Sequence, residues 1–524
     1  MWNGISSVDH ARRWARYTPE RTALSGAGGT MTWRELDERA ELWAHQLVAE
    51  HDVGRGDRVA LLARNRTDFF SLFFGCRRVG AILAPLNWRL AGPELVDLLA
   101  LARPRVLLHD DAFAPVAEGL KRPEGCALAC LSKADSGTRR GGQEGIPGRS
   151  TKPAGEADAG EVDTGETDAG ESEDSTALLL FTSGTTGRPK AAMLSERQLF
   201  YNGLNTIFAW RLTGADETLL FTPLFHTGAI NVLALPLLQV GGTVHVQEAF
   251  DAPGVVDAVA SGKVSVLFGV PVIFRMLADA PGFFEAATRL RLCLCGGAPL
   301  PISLIREYES HGLTITQGFG MTEAGPNCFF LPPHEALSRA GSVGIPMPYC
   351  DARLAREDGS EAAADEVGEL WMRGPHVFSG YFDNPAATQA AFREGWFRTG
   401  DLLRRDADGY YQVAGRAKDM FISGGENVYP AEIENALAGH PDVLEAAVLP
   451  VPDERWGEVG HAFVVPVSGG CIVPEELSAW LRNRLAGYKV PKRVTVIASL
   501  PRNSSGKVVR SELSGLLCDG RRAA

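Results

Sequence analysis

Two spacings of apolar residues alternate along the first 110 positions. The runs Arg58–Leu62, Ala81–Leu86 and Arg105–Leu108 are short and nearly continuous in apolar character, as expected of strands buried on both faces. Between them, apolar residues recur every three to four positions from Trp33 to Leu47 and from Phe69 to Arg78, which predicts helices. Thr32 stands three residues ahead of Glu35, the spacing of a capping box, and marks the first helix start. Strands that alternate with helices predict parallel sheet and an α/β fold. The pattern resumes at Ala177, where Leu178–Phe181 reads as a buried strand running directly into a loop of Gly, Thr and Ser, and the alternation is expected to continue to about Tyr411. From Val413 onward the pattern changes. A helix over 429–437, strands over 445–451 and 462–467 and a helix over 475–485 predict a small α+β domain.

At 524 residues the chain is too long for one core, so a large multi-subdomain body and a smaller C-terminal domain are expected. The stretch 132–176 breaks the pattern. It has almost no large apolar residue and repeats a loose acidic unit, so it cannot offset the entropy of ordering and reads as a disordered surface insertion. From Thr151 to Thr176 it holds nine acids against Lys152 alone, which accounts for most of the net charge of −12. The remainder is close to balanced, which argues against nucleic-acid binding. No apolar run approaches the ~20 residues of a membrane-spanning helix. The first 16 residues carry Asp9, Arg12, Arg13 and Arg16 and lack the apolar core of a secretory signal. A cytoplasmic protein with no transmembrane segment is the expectation. The nine cysteines include no paired CxxC motifs, so zinc is not indicated and reduced thiols are expected.

The strongest local signal is Thr182-Ser183-Gly184-Thr185-Thr186-Gly187-Arg188-Pro189-Lys190. Its glycines let backbone approach a phosphate, its hydroxyls and N–H groups donate, and Lys190 adds positive charge. It is not the P-loop of common NTPases, because Gly187 is followed by Arg-Pro-Lys rather than Lys-Ser/Thr. Further motifs follow in order: Gly296-Gly297-Ala298-Pro299-Leu300, Gln317-Gly318-Phe319-Gly320-Met321-Thr322-Glu323, Gly368-Glu369-Leu370, Gly380-Tyr381-Phe382, Thr399-Gly400-Asp401, Gly415-Arg416, Lys418-Asp419, Ser423 to Pro430, and Gly506-Lys507. This series resembles the adenylate-forming (AMP-binding) superfamily of acyl-CoA synthetases, luciferases and peptide-synthetase adenylation domains. The resemblance covers the whole chain apart from the acidic insertion.

The resemblance implies a large N-terminal domain, 1–416, and a mobile C-terminal domain, 417–524. It implies a carboxylate attacking the α-phosphate of ATP with Mg²⁺-pyrophosphate leaving, a reaction catalysed mainly by positioning and electrostatics. The loop from Thr182 to Lys190 would hold the β- and γ-phosphates. Gly297, Ala298 and Pro299 would edge the adenine, and Phe319 would lie against it within Gln317–Met321. Phe319 stands where the family usually has Tyr. Glu323 would ligate Mg²⁺ and Thr322 would donate to the α-phosphate. Asp401 would accept from both ribose hydroxyls, with the Arg416 fork nearby. Lys507 would reach in from the small domain to neutralise charge between carboxylate and α-phosphate.

Ser423 to Pro430, with Pro452-Asp453 and Trp456-Gly457-Glu458, resembles the CoA-ligase branch, which makes coenzyme A the expected acceptor and Gly424, Gly425 and Trp456 the expected lining of a pantetheine tunnel. Lys418 matches the hinge on which the small domain turns between half-reactions. For the acyl pocket, His226, Gly228, Asn231 and Gly269 are candidates, with His226 equally readable as a satisfied core histidine. The segments around them are small or apolar and hold no acid for an amino-acid ammonium group. A medium- or long-chain fatty acid is therefore the first expectation and an aryl acid the second. A ligase that loads a carrier protein shares every ATP-site residue and stays open. Oligomeric state is not legible.

Overall fold

The computed structural model describes residues 9–132, 174–183, 189–417, 419–424, 426–467, 470–502 and 508–519. Most of the acidic stretch expected to be disordered therefore lies outside the described residues. Its last residue, Thr176, already belongs to a strand.

Two large sheets form the body. One has seven strands in the order Gly380–Tyr381, Pro189–Ser195, Thr176–Ser183, Ile82–Pro85, Arg58–Leu62, Val106–His109 and Ala127–Cys130. Its centre is parallel, with Val59 beside both Leu83 and Val106, and the apolar runs of the sequence occupy it. The other has nine strands, and six of them run parallel from Ile315–Met321 through Leu292–Cys295, Val266–Gly269, Glu217–Leu220 and Thr243–Val246 to Thr22–Gly26.

The helix Trp33–His51 starts as the sequence predicts. Thr32 accepts from the Glu35 N–H and the Glu35 carboxylate accepts from the Thr32 N–H at 2.7 Å, a closed capping box whose loss costs about 1 kcal/mol. This helix lies so close to Asp68–Arg78 that a Cβ on Gly75 would sit 2.6 Å from Trp43 Cβ. Only glycine permits that approach.

The expected alternation of helix and strand does not reach Tyr411. Beyond Met321 the chain turns antiparallel, and Asp351–Ala355, Val367–Arg373, Trp396–Arg405, Phe392–Arg393 and Tyr411–Arg416 form a separate five-stranded sheet. Within it, Phe392–Arg393 and Trp396–Arg405, and Trp396–Arg405 and Tyr411–Arg416, are antiparallel hairpins closed by short turns at Glu394-Gly395 and Asp406–Gly409, which need no crossover helix.

Residues 421–496 build a further five-stranded sheet, centred on the antiparallel pair Val443–Asp453 and Gly457–Pro466. The helices Pro430–Ala438 and Pro474–Arg482 contribute Ile433, Leu437, Leu477 and Leu481 to a core with Phe421, Val428, Val448 and Val464. The other face buries Ala447, Leu449, Phe463 and Val465 under Leu500 and Leu513. Each fully buried leucine is worth roughly 1.5–3 kcal/mol, so both faces hold their own layers. Among the described residues no helix is long and apolar enough to cross a membrane.

Candidate active site

The strands Thr176–Ser183 and Pro189–Ser195 pair antiparallel, with Thr182 opposite Lys190 and Ser183 opposite Pro189. The two ends of the glycine-threonine loop are thereby fixed side by side. Gly184, Thr185, Thr186 and Gly187 lie outside the described residues. Lys190 places its Nζ 4.7 Å from the centre of the Tyr381 ring. Tyr381 is itself on the adjoining strand, opposite Ala192. Its hydroxyl donates to Glu323 Oε1 at 3.0 Å. Burial, reinforced by the Glu323 charge, pushes the Tyr381 phenol above its ordinary range, so it remains a protonated donor. Lys190, Tyr381 and Glu323 thus form one continuous chain of contacts from the loop to the carboxylate.

The turn Thr322–Ala324 that carries Glu323 is held from outside. Gln198 Nε2 donates to the Thr322 carbonyl at 3.2 Å, and the Phe378 N–H to the Glu323 carbonyl at 2.7 Å. Gly320 lies against the returning strand, where a Cβ would come within 2.4 Å of Gly325 O. Gly325 has φ +81, a region that L side chains rarely adopt.

Leu292–Cys295 ends where Gly296 and Gly297 begin, and Cys295 pairs with Gln317, so the adenine-edge turn and Gln317–Met321 emerge side by side. Gln317 is buried, and its Oε1 accepts from the Leu300 N–H at 2.8 Å. Its side chain shapes the turn through Gly297, Ala298 and Pro299. Gly297 has φ +80. Phe319, following Gly318, meets the Phe329 ring edge-on at 5.8 Å and, like Met321, is half-buried.

Asp401 is nearly buried, and its Oδ1 accepts from Arg416 Nε at 2.9 Å, while the arginine stays half-exposed. The neighbouring backbone is fixed by Gly400 N–H on Glu369 Oε1 at 3.2 Å and by Thr399 Oγ1 on the Leu370 carbonyl at 2.8 Å. Sequence reasoning quoted Glu369 and Tyr381 only as motif markers and missed Gln198. Each proves to hold a neighbouring element of the site, and Gln198 carries no motif that could have revealed it.

On the acyl side, the chain from Ala229 to Ala234 makes a turn of π-helix, all of it buried. Such turns recur at functional sites. Asn231, within it, donates to Thr227 Oγ1 at 2.9 Å, and its carbonyl accepts from Asn202 Nδ2 at 2.7 Å and from Asn327 Nδ2 at 3.3 Å. Asn231 therefore belongs to a buried polar network between three elements. Gly269 faces Ile273 and Phe274, which a Cβ would meet at 3.1 and 3.3 Å, so its missing side chain serves helix packing. Gly228 and Gly296 face the Phe268 ring, at 3.2 Å from Cε1 and 3.4 Å from Cε2 for an added Cβ. Phe268, which precedes the pocket candidate Gly269, is thus framed by two glycines. His226 is half-buried and stacks obliquely on Phe225, with ring centres 4.5 Å apart.

Gly424 has φ +62, and an added Cβ would lie 2.6 Å from Trp456 Cε3. Its N–H donates to the Trp456 carbonyl at 2.8 Å. Gly425, the hinge candidate Lys418 and Lys507 lie outside the described residues.

The two ends of the glycine-threonine loop, the Glu323 carboxylate near it and the buried Asp401 carboxylate are each fixed by named partners, the layout expected of a nucleotide site. The sequence profile of AMP-binding enzymes matches residues 11–382, and that of the AMP-binding enzyme C-terminal domain matches residues 432–507. A feruloyl-CoA synthase of Amycolatopsis sp. is 42% identical over 503 residues, 96% of this chain and 97% of its own. An indoleacetate–CoA ligase of Aromatoleum aromaticum is 36% identical, with 96% and 97% covered. A long-chain-fatty-acid–CoA ligase of Mycobacterium tuberculosis is 33% identical, with 92% of each covered. The structure of o-succinylbenzoate CoA synthetase from Bacillus subtilis in complex with its acyl-adenylate intermediate superposes with a TM-score of 0.81 at 30% identity, covering 96% of this chain and 97% of that one. The chain belongs to the AMP-binding enzyme family. It is an AMP-forming acid–thiol ligase, a reaction class that consumes ATP and coenzyme A and requires magnesium.

Proposed function

We propose that this ligase couples an aromatic carboxylic acid, of the arylpropenoic type, to coenzyme A. A carboxylate oxygen attacks the α-phosphorus of ATP and pyrophosphate leaves. The CoA sulfur then attacks the acyl carbonyl and AMP leaves. The contact chain from Lys190 through Tyr381 to Glu323 carries the first step, because it joins a phosphate-facing cation to a hard oxygen donor suited to Mg²⁺. Magnesium would offset charge on the departing pyrophosphate. Thr182 to Gly187 hold the β- and γ-phosphates, and Thr322 donates to the α-phosphate. Asp401, backed by Arg416, accepts from the ribose hydroxyls. Lys507 comes from a C-terminal domain, 417–524, that turns about Lys418 relative to a body of 1–416. Gly424, Gly425 and Trp456 border the pantetheine path.

The aromatic preference rests on Phe268, a half-buried ring against whose rim Gly228 and Gly296 set no side chain, which leaves room for a second flat ring beside it. The names of the two aryl-acid relatives, at 42% and 36% identity, support the same choice. It reverses the order expected from residue sizes alone, which put a medium- or long-chain fatty acid first. The relative at 33% identity keeps that reading as the competitor.

Pyrophosphate release is to be measured with ATP, magnesium and two acid panels, substituted cinnamates and straight-chain acids of eight to sixteen carbons, followed by thioester formation with CoA or a carrier protein. The expectation is kcat/KM at least ~10-fold higher for the cinnamates, the discrimination that one or two kcal/mol of pocket fit supplies, and CoA as acceptor. Preference for the long chains would reject the aromatic reading, and transfer only to a carrier protein would reject CoA.

A further inference from the structure

Three segments meet directly behind the turn that carries Glu323. Cys328 lies on the strand Gly325–Phe330, Cys350 on the turn after Ile345–Pro346, and His376 on the loop after Val367–Arg373. Backbone bonds lock the first two together, with the Met347 N–H on the Cys328 carbonyl at 2.8 Å and the Cys350 N–H on the Met347 carbonyl at 3.0 Å. The two sulfurs and a ring nitrogen of His376 all lie within 4.8 Å of one another, and all three residues are buried. The distance from Cys328 Sγ to His376 Nδ1 is 4.0 Å. Met372, fully buried, adds a thioether whose Sδ is 4.0 Å from Cys350 Sγ.

The histidine tautomer is fixed by its surroundings. Nδ1 lies 2.6 Å from the Ala324 carbonyl, which can only accept, so Nδ1 carries the proton. Nε2 is then the lone-pair nitrogen, and it is buried with no hydrogen-bond partner among the described residues. The ring nitrogen beside Cys328 Sγ is Nδ1, at 4.0 Å, so ligation through it would move the ring proton to Nε2 and release the Ala324 carbonyl. The donors are soft, two thiols, a thioether and an imidazole, and no carboxylate belongs to the cluster.

We infer that Cys328, Cys350 and His376, with Met372 as a fourth donor, form a binding site for one soft d10 metal ion, Cu(I) in preference to Zn(II). Thiolate and thioether donors select Cu(I) and zinc over hard cations, and the thioether tilts the choice toward copper. Binding exchanges each thiol proton for a metal–sulfur bond, with the protons released to solvent. Cys328 Sγ, which donates to the Ala324 and Gly325 carbonyls at 3.1 and 3.2 Å, would turn from those carbonyls to the metal, one residue from Glu323.

The test uses the reduced, metal-free full chain. Anaerobic titration with Cu(I) against a chromophoric chelator, and separately with Zn(II), reads stoichiometry and affinity. The expectation is one ion per chain, bound at least ~10-fold more weakly after Cys328→Ser, Cys350→Ser or His376→Asn and unchanged after Cys471→Ser, which removes an exposed thiol elsewhere. X-ray absorption of the loaded wild type serves where a variant fails to fold, and two or three sulfur neighbours with one nitrogen support the site. Unchanged binding in a folded Cys328→Ser/Cys350→Ser variant, oxygen-rich coordination, no stoichiometric uptake, or a Cys328–Cys350 disulfide as the stable form of the isolated enzyme would each overturn it.

Discussion

The nucleotide side and the acyl side of the site are built on opposite principles. On the nucleotide side the described charged groups have named restraints. Asp401 is paired with Arg416, Glu323 takes the Tyr381 hydroxyl, the Gly400 N–H rests on Glu369, and Gln317 is committed to Leu300. On the acyl side the space beside Phe268 is set by two missing side chains, Gly228 and Gly296. Charge acts over distance and must be aimed, whereas apolar fit is set by contact and can be retuned by a single methyl group. Substitutions on the first side should therefore move ATP and magnesium parameters, and substitutions on the second should move only the acid.

The largest effect is expected from Lys507→Ala. Adenylation, read by ATP–pyrophosphate exchange, should fall by about 10²–10³-fold, as when one preorganised charge is withdrawn from a transition state. Conversion of preformed acyl-adenylate to thioester should survive. Loss of both steps together would mean that the residue acts through folding instead. Next is Asp401→Ala, which strips a charge-assisted bond and leaves Arg416 unpaired. The expected loss is about 10- to 100-fold in kcat/KM for ATP, with KM for the acid unmoved. A rise in the acid KM would erase the distinction between the two sides.

Gly228→Ala tests the other side. Its φ of −59 tolerates alanine, but the new methyl would meet Phe268 Cε1 at 3.2 Å. An increase of about 3- to 10-fold in KM for the acid, with KM for ATP unchanged, follows from overpacking of this degree. The smallest effect belongs to Tyr381→Phe. Removing one hydroxyl from Glu323 costs about 0.5–1.5 kcal/mol, so the magnesium needed for half-maximal adenylation should shift by up to about tenfold. An unchanged magnesium dependence would detach Tyr381 from the metal ligand.

Legibility in the sequence followed the range of the forces involved. The strand Arg58–Leu62 was read to the residue, and the Thr32 cap fixed the start of its helix, because apolar runs and capping spacings are local signals. The antiparallel sheet between Asp351 and Arg416 was not read, since its half-buried strands alternate too loosely to distinguish from the helices and strands before them. The site motifs were legible as words. What their side chains hold was not, because the partner of Tyr381 lies 58 positions away and that of Gln198 lies 124 away. The meeting of Cys328, Cys350 and His376 leaves no trace in local spacing either, since 22 and 26 residues separate them and a search for close cysteine pairs passes over them.

The C-terminal sheet carries a last consequence. The apolar clusters on its two faces draw only on residues between 421 and 517. Among the described residues its cores are therefore self-supplied, with the helix Pro430–Ala438 also resting on the strand Tyr411–Arg416 at its border. Heat or denaturant should find in it a separate cooperative unit, one that can melt or survive on its own terms while the parallel sheets respond on theirs.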